Sequence, residues 1–83
     1  MKIEYKMNTA SEFLLIEHLK HCNSQFIPPL NTKVSIEPYG KKISENAIVF
    51  EAWENDVLIG MVAMYVNDNK EGYITNVSVY SEY

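Results

Sequence analysis

Residues 57–66, Val-Leu-Ile-Gly-Met-Val-Ala-Met-Tyr-Val, decide the fold. The run carries no charge and does not alternate between apolar and polar. It is half the length of about 20 residues that a membrane-spanning helix needs. A short, β-branched apolar run of this kind reads as a central strand covered on both faces. Residues 47–54, Ala-Ile-Val-Phe-Glu-Ala-Trp-Glu, form the strand before it, and Asn55-Asp56 makes a tight hairpin turn between the two. Residues 67–72 make a longer turn, and 73–80, Tyr-Ile-Thr-Asn-Val-Ser-Val-Tyr, form a third strand of the meander.

Towards the N-terminus, residues 2–7 alternate charged and apolar, so Ile3, Tyr5 and Met7 share one face of a short strand. Residues 9–22 read as a helix. Thr9 with Glu12 three positions on has the form of a capping box. Phe13, Leu15, Ile16, Leu19 and Cys22 follow at three- and four-residue spacing, and Lys20 and His21 suit the negative end of the macrodipole. Residues 23–32 form a loop, because Pro28-Pro29 cannot continue a helix. Its apolar members Phe26, Ile27 and Leu30 are expected to fold back onto the body. A weaker helix spans 35–46, with Ser35 as cap, Tyr39 and Ile43 stacked one turn apart, and Gly40 costing roughly 1 kcal/mol relative to Ala.

The resulting order, β-α-α-β-β-β, is an α+β pattern with helices packed on an antiparallel sheet. Two short helices supply cover for one face, whereas the central strand asks for two. The last strand leaves a bare edge.

Eighty-three residues make one small domain of marginal stability. The chain is too apolar for a disordered segment. The charged start, MKIEYKM, has no apolar core of a signal peptide, and the lone Cys22 excludes a disulfide framework, so a cytoplasmic location is expected. Seven lysines, no arginine and a net charge of −4 give no basic patch, so neither nucleic acid nor membrane is expected as a partner. His18 and Cys22 stand at i, i+4, a spacing that can hold a metal on a helix face. Cys22 on the apolar stripe is better read as a small hydrophobe, and no metal is expected. Met61 and Met64 read as core filler. Trp53 shares a strand face with Glu51, either as a substrate wall or as a shield of that face.

The block 47–83 resembles the GNAT superfamily of acyl-CoA-dependent N-acetyltransferases. Three segments carry the resemblance: the hairpin Glu54-Asn55-Asp56, the answering Val57-Leu58-Ile59-Gly60-Met61-Val62, and Tyr73-Ile74-Thr75-Asn76-Val77-Ser78-Val79-Tyr80-Ser81-Glu82-Tyr83. The last is similar to the family's fourth strand and its approach to the coenzyme A loop. The N-terminal strand and two helices match the family's opening elements in order. Ser81 stands where the family often has proline. The family's Arg/Gln-x-x-Gly-x-Gly/Ala loop, which cradles the pyrophosphate, would follow Tyr83. The resemblance thus implies a partial GNAT-like fold, an N-terminal part of the family's domain that is inactive alone.

In the family, a substrate amine attacks the thioester of acetyl-CoA. Carried over by position, the backbone N–H of Val77 would meet the acetyl carbonyl, and the main chain of Val79 would pair with the pantetheine. Acetyl-CoA is therefore the implied cosubstrate, with no useful binding expected from these residues alone. An amine-bearing small molecule or a peptide is the implied acceptor. Glu71 and Glu51 are candidate bases, and Thr75, Asn76 and Ser78 are candidates to hold a water. Phe26, Ile27, Pro28, Pro29 and Leu30, with Tyr39 and Trp53, are candidates for the acceptor site. The alternative reading is a non-catalytic interaction module that forms a homodimer through the open edge at 73–80.

Overall fold

In the computed structural model the run 57–66 is the third of four strands. Residues 2–26, 29–32, 34–66 and 69–82 are described. The elements are β1 (Glu4–Met7), α1 (Glu12–Cys22), α2 (Ile36–Asn46), β2 (Ile48–Glu54), β3 (Val57–Val66) and β4 (Gly72–Val79). Two single turns of 3-10 helix, Asn23–Gln25 and Leu30–Thr32, lie between the helices. The strands pair antiparallel in the order β1-β2-β3-β4, so the architecture is α+β as expected, with β1 and β4 at the edges. Ile27, Pro28 and Tyr83 lie outside the described residues.

The β2–β3 hairpin closes on Asn55 and Asp56, both with positive φ (49° and 64°). Two left-handed residues are what a two-residue turn needs to match strand twist, and Asn and Asp tolerate that region best after Gly. Two register shifts follow. Trp53 pairs with Leu58 but Ala52 pairs with Gly60, leaving Ile59 extra. Ala63 pairs with Asn76 but Met64 pairs with Ile74, leaving Thr75 extra.

One face of this sheet lies under the helices. Val49, Trp53, Leu58, Met61 and Ala63 meet Leu15, Leu19, Leu30 and Ile43 in one buried core. The helices reach each other closely at Gly40, where an added Cβ would stand 2.6 Å from Ile16 Cγ1. The glycine that reads as a helix defect is therefore the contact that lets α1 and α2 approach. The opposite face carries Tyr5, Met7, Phe50, Ala52, Gly60, Val62, Met64, Ile74, Val77 and Val79, which share it by register and alternation. No described element covers it.

Three expectations are corrected. The cap of α1 is Ser11, whose side chain accepts from Leu14 N, and not Thr9. Thr9 instead donates through both its backbone N–H and its hydroxyl to Glu51. The buried stripe of α1 is Leu15, His18, Leu19 and Cys22, while Phe13 is exposed. Ser35 stands at the N-cap of α2 but makes no side-chain capping bond.

Candidate functional site

The outer edge of β4 is the first part of the site. Tyr80 N–H donates to Ile59 O at 2.8 Å, which fixes the phase of the β3–β4 ladder. By alternation, Asn76 and Ser78 turn their main chain towards β3, and Val77 and Val79 turn theirs outward. Gln25, with its amide oriented so that both ends are satisfied, donates to Val79 O at 2.7 Å and accepts from Ser81 N at 3.2 Å. One side chain thus stands in for a neighbouring strand at the C-terminal end of the edge. The edge at Val77 has no such cover among the described residues.

Beside this edge the open face forms a shallow apolar trough of about 210 Å³, floored by Ala52, Gly60 and Val62 and walled by Tyr5, Phe50, Val77 and Val79. Val77 is 56% exposed and Val79 46%. The two residues expected to meet an acyl-CoA through their main chain therefore do lie together on an outer edge, although the carbonyl of Val79 is already engaged.

The side chains of Asn76 and Ser78 point the other way, into a buried polar chain under α1. His18 Nδ1 lies 2.8 Å from Leu58 O, and its Nε2 lies 2.8 Å from Ser78 Oγ. Ser78 Oγ donates to Asn76 Oδ1 at 2.8 Å. The carbonyl of Leu58 only accepts, so Nδ1 carries the ring proton. Neutral His18 and Ser78 then bring two protons to three contacts. Protonating His18 would supply the third, but burial opposes it. Burial is the largest influence on His18 and sets its pKa below the ordinary histidine value, against the raising effect of its contacts with Leu58 and Ser78.

Cys22 Sγ is 3.8 Å from His18 Nε2, and burial pushes its pKa up to about 11, so it is an unreactive thiol. His21 stacks on Tyr80 with ring centroids 3.8 Å apart and reaches Glu82 at 3.4 Å. Among the described residues no group of three or more His, Cys, Asp and Glu is placed to hold a metal.

Glu51 is buried on the helix-covered face. It accepts from Thr9 N at 2.9 Å, Ala10 N at 3.0 Å, Trp53 Nε1 at 2.9 Å and the Thr9 hydroxyl. Burial alone would raise its pKa, but these hydrogen bonds outweigh that and hold it below the ordinary glutamate value. It fastens the start of α1 to β2 and has no spare acceptor role as a base. Trp53 is 8% exposed and belongs to the core, with Lys6 Nζ 5.5 Å from its ring centre. Of its two readings the shield is the one the packing shows. Phe26 and Tyr39 pack against the same core, and Tyr39 donates to Thr75 O at 2.8 Å. Phe26, Tyr39 and Trp53 therefore sit on the side of the sheet away from the trough. Glu71 is exposed just before β4. At ~3.3 Å per strand residue it stands roughly 20 Å along the strand from Val77, too far to take a proton there.

Two roles are not among the sequence expectations: the buried link of His18 to β3 and β4, since His18 figures there only as a metal ligand, and the edge contact of Gln25. His18 had a signal, since 15-18-19-22 is an unbroken helical stripe with a histidine in it. Gln25 had none. No helix is long and apolar enough to cross a membrane. No protein-family model matches the chain, and neither the curated proteins nor the solved structures contain a match to it.

Proposed function

We propose that the chain is the β1–β4 part of an acyl-CoA-dependent N-acetyltransferase of the GNAT type. The observation that carries this reading is the outward main chain of Val77 on an edge strand beside an apolar trough. An acetyl thioester lying along this edge would present its carbonyl oxygen to the Val77 N–H. An acceptor amine, on a small molecule or a peptide, attacks the carbonyl carbon. The tetrahedral oxyanion is held by that N–H, the C–S bond breaks, coenzyme A leaves as thiolate, and the amine gives up its proton. The donor is fixed before reaction, so it costs no reorganisation as charge develops. The carbonyl of Val79 joins the pantetheine only when Gln25 withdraws from it. Among the described residues none is placed as the base, which leaves proton removal to solvent.

Amide NMR of the chain titrated with acetyl-CoA tests the reading. Weak, saturable shifts centred on Val77 and its neighbours on β4 are expected. Shifts that centre on another part of the chain and leave the Val77 amide unmoved would sink it.

The same bare edge supports a second reading, a non-catalytic module whose β4 pairs with the β4 of another copy. The register shift at Thr75 and the Gln25 amide both shorten the stretch open to such pairing. Val77→Pro removes the outward donor without breaking the β3 ladder, so it separates an edge-paired dimer from a chain that does not use this edge.

A further inference from the structure

The sheet face away from the helices is apolar from edge to edge. Tyr5, Met7, Phe50, Ile74, Val77 and Val79 are each between 46% and 80% exposed. Together they offer on the order of 700 Å² of accessible surface, main chain included, comparable to the largest patch of most monomers. That is close to the roughly 800 Å² per partner of a standard protein–protein interface.

The central rows of the face are free of charge, and Glu54 stands on it only at the hairpin end of β2. Between Tyr5 and Met7 on β1 and Val77 and Val79 on β4, the positions that register places on it are all apolar. Lys6 over Trp53, Lys20 with Glu37, and Lys42 over Tyr65 all lie away from these rows. An anionic membrane would ask for lysines around the patch, and the chain is net acidic. Two copies, in contrast, approach through these central rows without opposing like charges.

Shape favours the same occupant. Bulky Tyr5, Met7 and Phe50 lie on the β1–β2 side, and Val62, Val77 and Val79 lie on β3 and β4, with Ala52 and Gly60 low between them. A two-fold axis in the interface and parallel to the strands lays β1 of each copy over β4 of the other, and β2 over β3. Large side chains then meet small ones twice, as an isologous interface requires. Sheets stacked this way sit about 10 Å apart.

We propose that two copies of this chain pack these faces together as a C2 sandwich. This goes beyond the acetyltransferase reading and uses the face, not the outer edge, of β4. Sedimentation velocity from low to several hundred micromolar chain tests it. A dimer is expected for the unaltered chain. Val62→Lys, which places two charges at the centre of the sandwich, is expected to give a folded monomer, with circular dichroism confirming the fold. Tyr5→Lys on the most exposed position serves as the second variant if Val62→Lys fails to fold. Val77→Pro, which removes the outward N–H of the edge and trims one of the six face side chains, is expected to weaken the dimer less than either lysine variant. A mixture of Tyr5→Cys and Val79→Cys chains is expected to oxidise to a linked dimer faster than either alone, since Tyr5 and Val79 stand at one level of the sheet and Cys22 is buried. A monomer throughout the concentration range overturns the proposal. So does a dimer broken by Val77→Pro but indifferent to both lysine variants, which would assign the contact to the edge.

Discussion

The two faces of the sheet differ in a way that inverts the usual arrangement. The covered face contains every buried polar residue described, Glu51, His18, Asn76 and Ser78, and each has found partners. The open face has no such residue and exposes tyrosine, phenylalanine, methionine and valine. Burying a polar group without a partner costs several kcal/mol in an apolar medium, so polar residues are tolerated only where geometry is fixed by tight packing. The lesson is that the register of the covered face is pinned by specific hydrogen bonds. The open face has hydrophobic content without directional contacts, the condition of a surface that still awaits a second layer.

Substitutions on the two faces should therefore behave differently. The largest effect is expected at the covered core. Leu19→Ala removes a fully buried side chain and should cost about 2–5 kcal/mol in urea unfolding. A loss below 1 kcal/mol would break the contrast. Glu51→Ala strands the donors of Thr9, Ala10 and Trp53 and should cost about 2–3 kcal/mol, read from the same titration.

A smaller effect appears with pH. His18 has a folded pKa below the ordinary value near 6.5, so the unfolded chain takes up the proton first. Its contribution is complete above pH 6.5 and declines as pH falls from there through the folded value. Glu51, also lowered, begins to lose its contribution only below its ordinary 4.5. Stability measured between these two pH values should fall in the unaltered chain and stay flat in His18→Gln. A slope that survives in the variant would assign the titration elsewhere. The smallest effect is expected on the open face. In dilute, monomeric solution Tyr5→Thr should change stability by no more than about 0.5 kcal/mol.

The meander was legible because its signals are local. The uncharged run 57–66 and the Asn55-Asp56 turn fix β2 and β3 to within a residue. The unequal cover of the two faces was legible too, from one apolar strand and two short helices. The start of α1 was misread because Thr9 has a competitor for its hydrogen bonds in Glu51, which lies 42 residues away. The candidate site fared likewise. Alternation within 73–80 places Val77 and Val79 together, whereas the union of His18 with Leu58 and Ser78 spans 40 and 60 residues. Nor does any local pattern foretell the extra residues Ile59 and Thr75, since a shifted register depends on both strands of a pair.

The turn at Asn55-Asp56 bears on the order in which the chain assembles. It joins β2 and β3 through two residues already suited to a left-handed bend, so this hairpin closes at little entropic cost. The partners of β1 on β2 lie more than forty residues along the chain. Their pairing becomes favourable only after the hairpin presents its edge. Changes in the hairpin should then slow folding, and changes in β1 should chiefly quicken unfolding. The N-terminal strand is in this sense the last stitch of the sheet and the first to loosen.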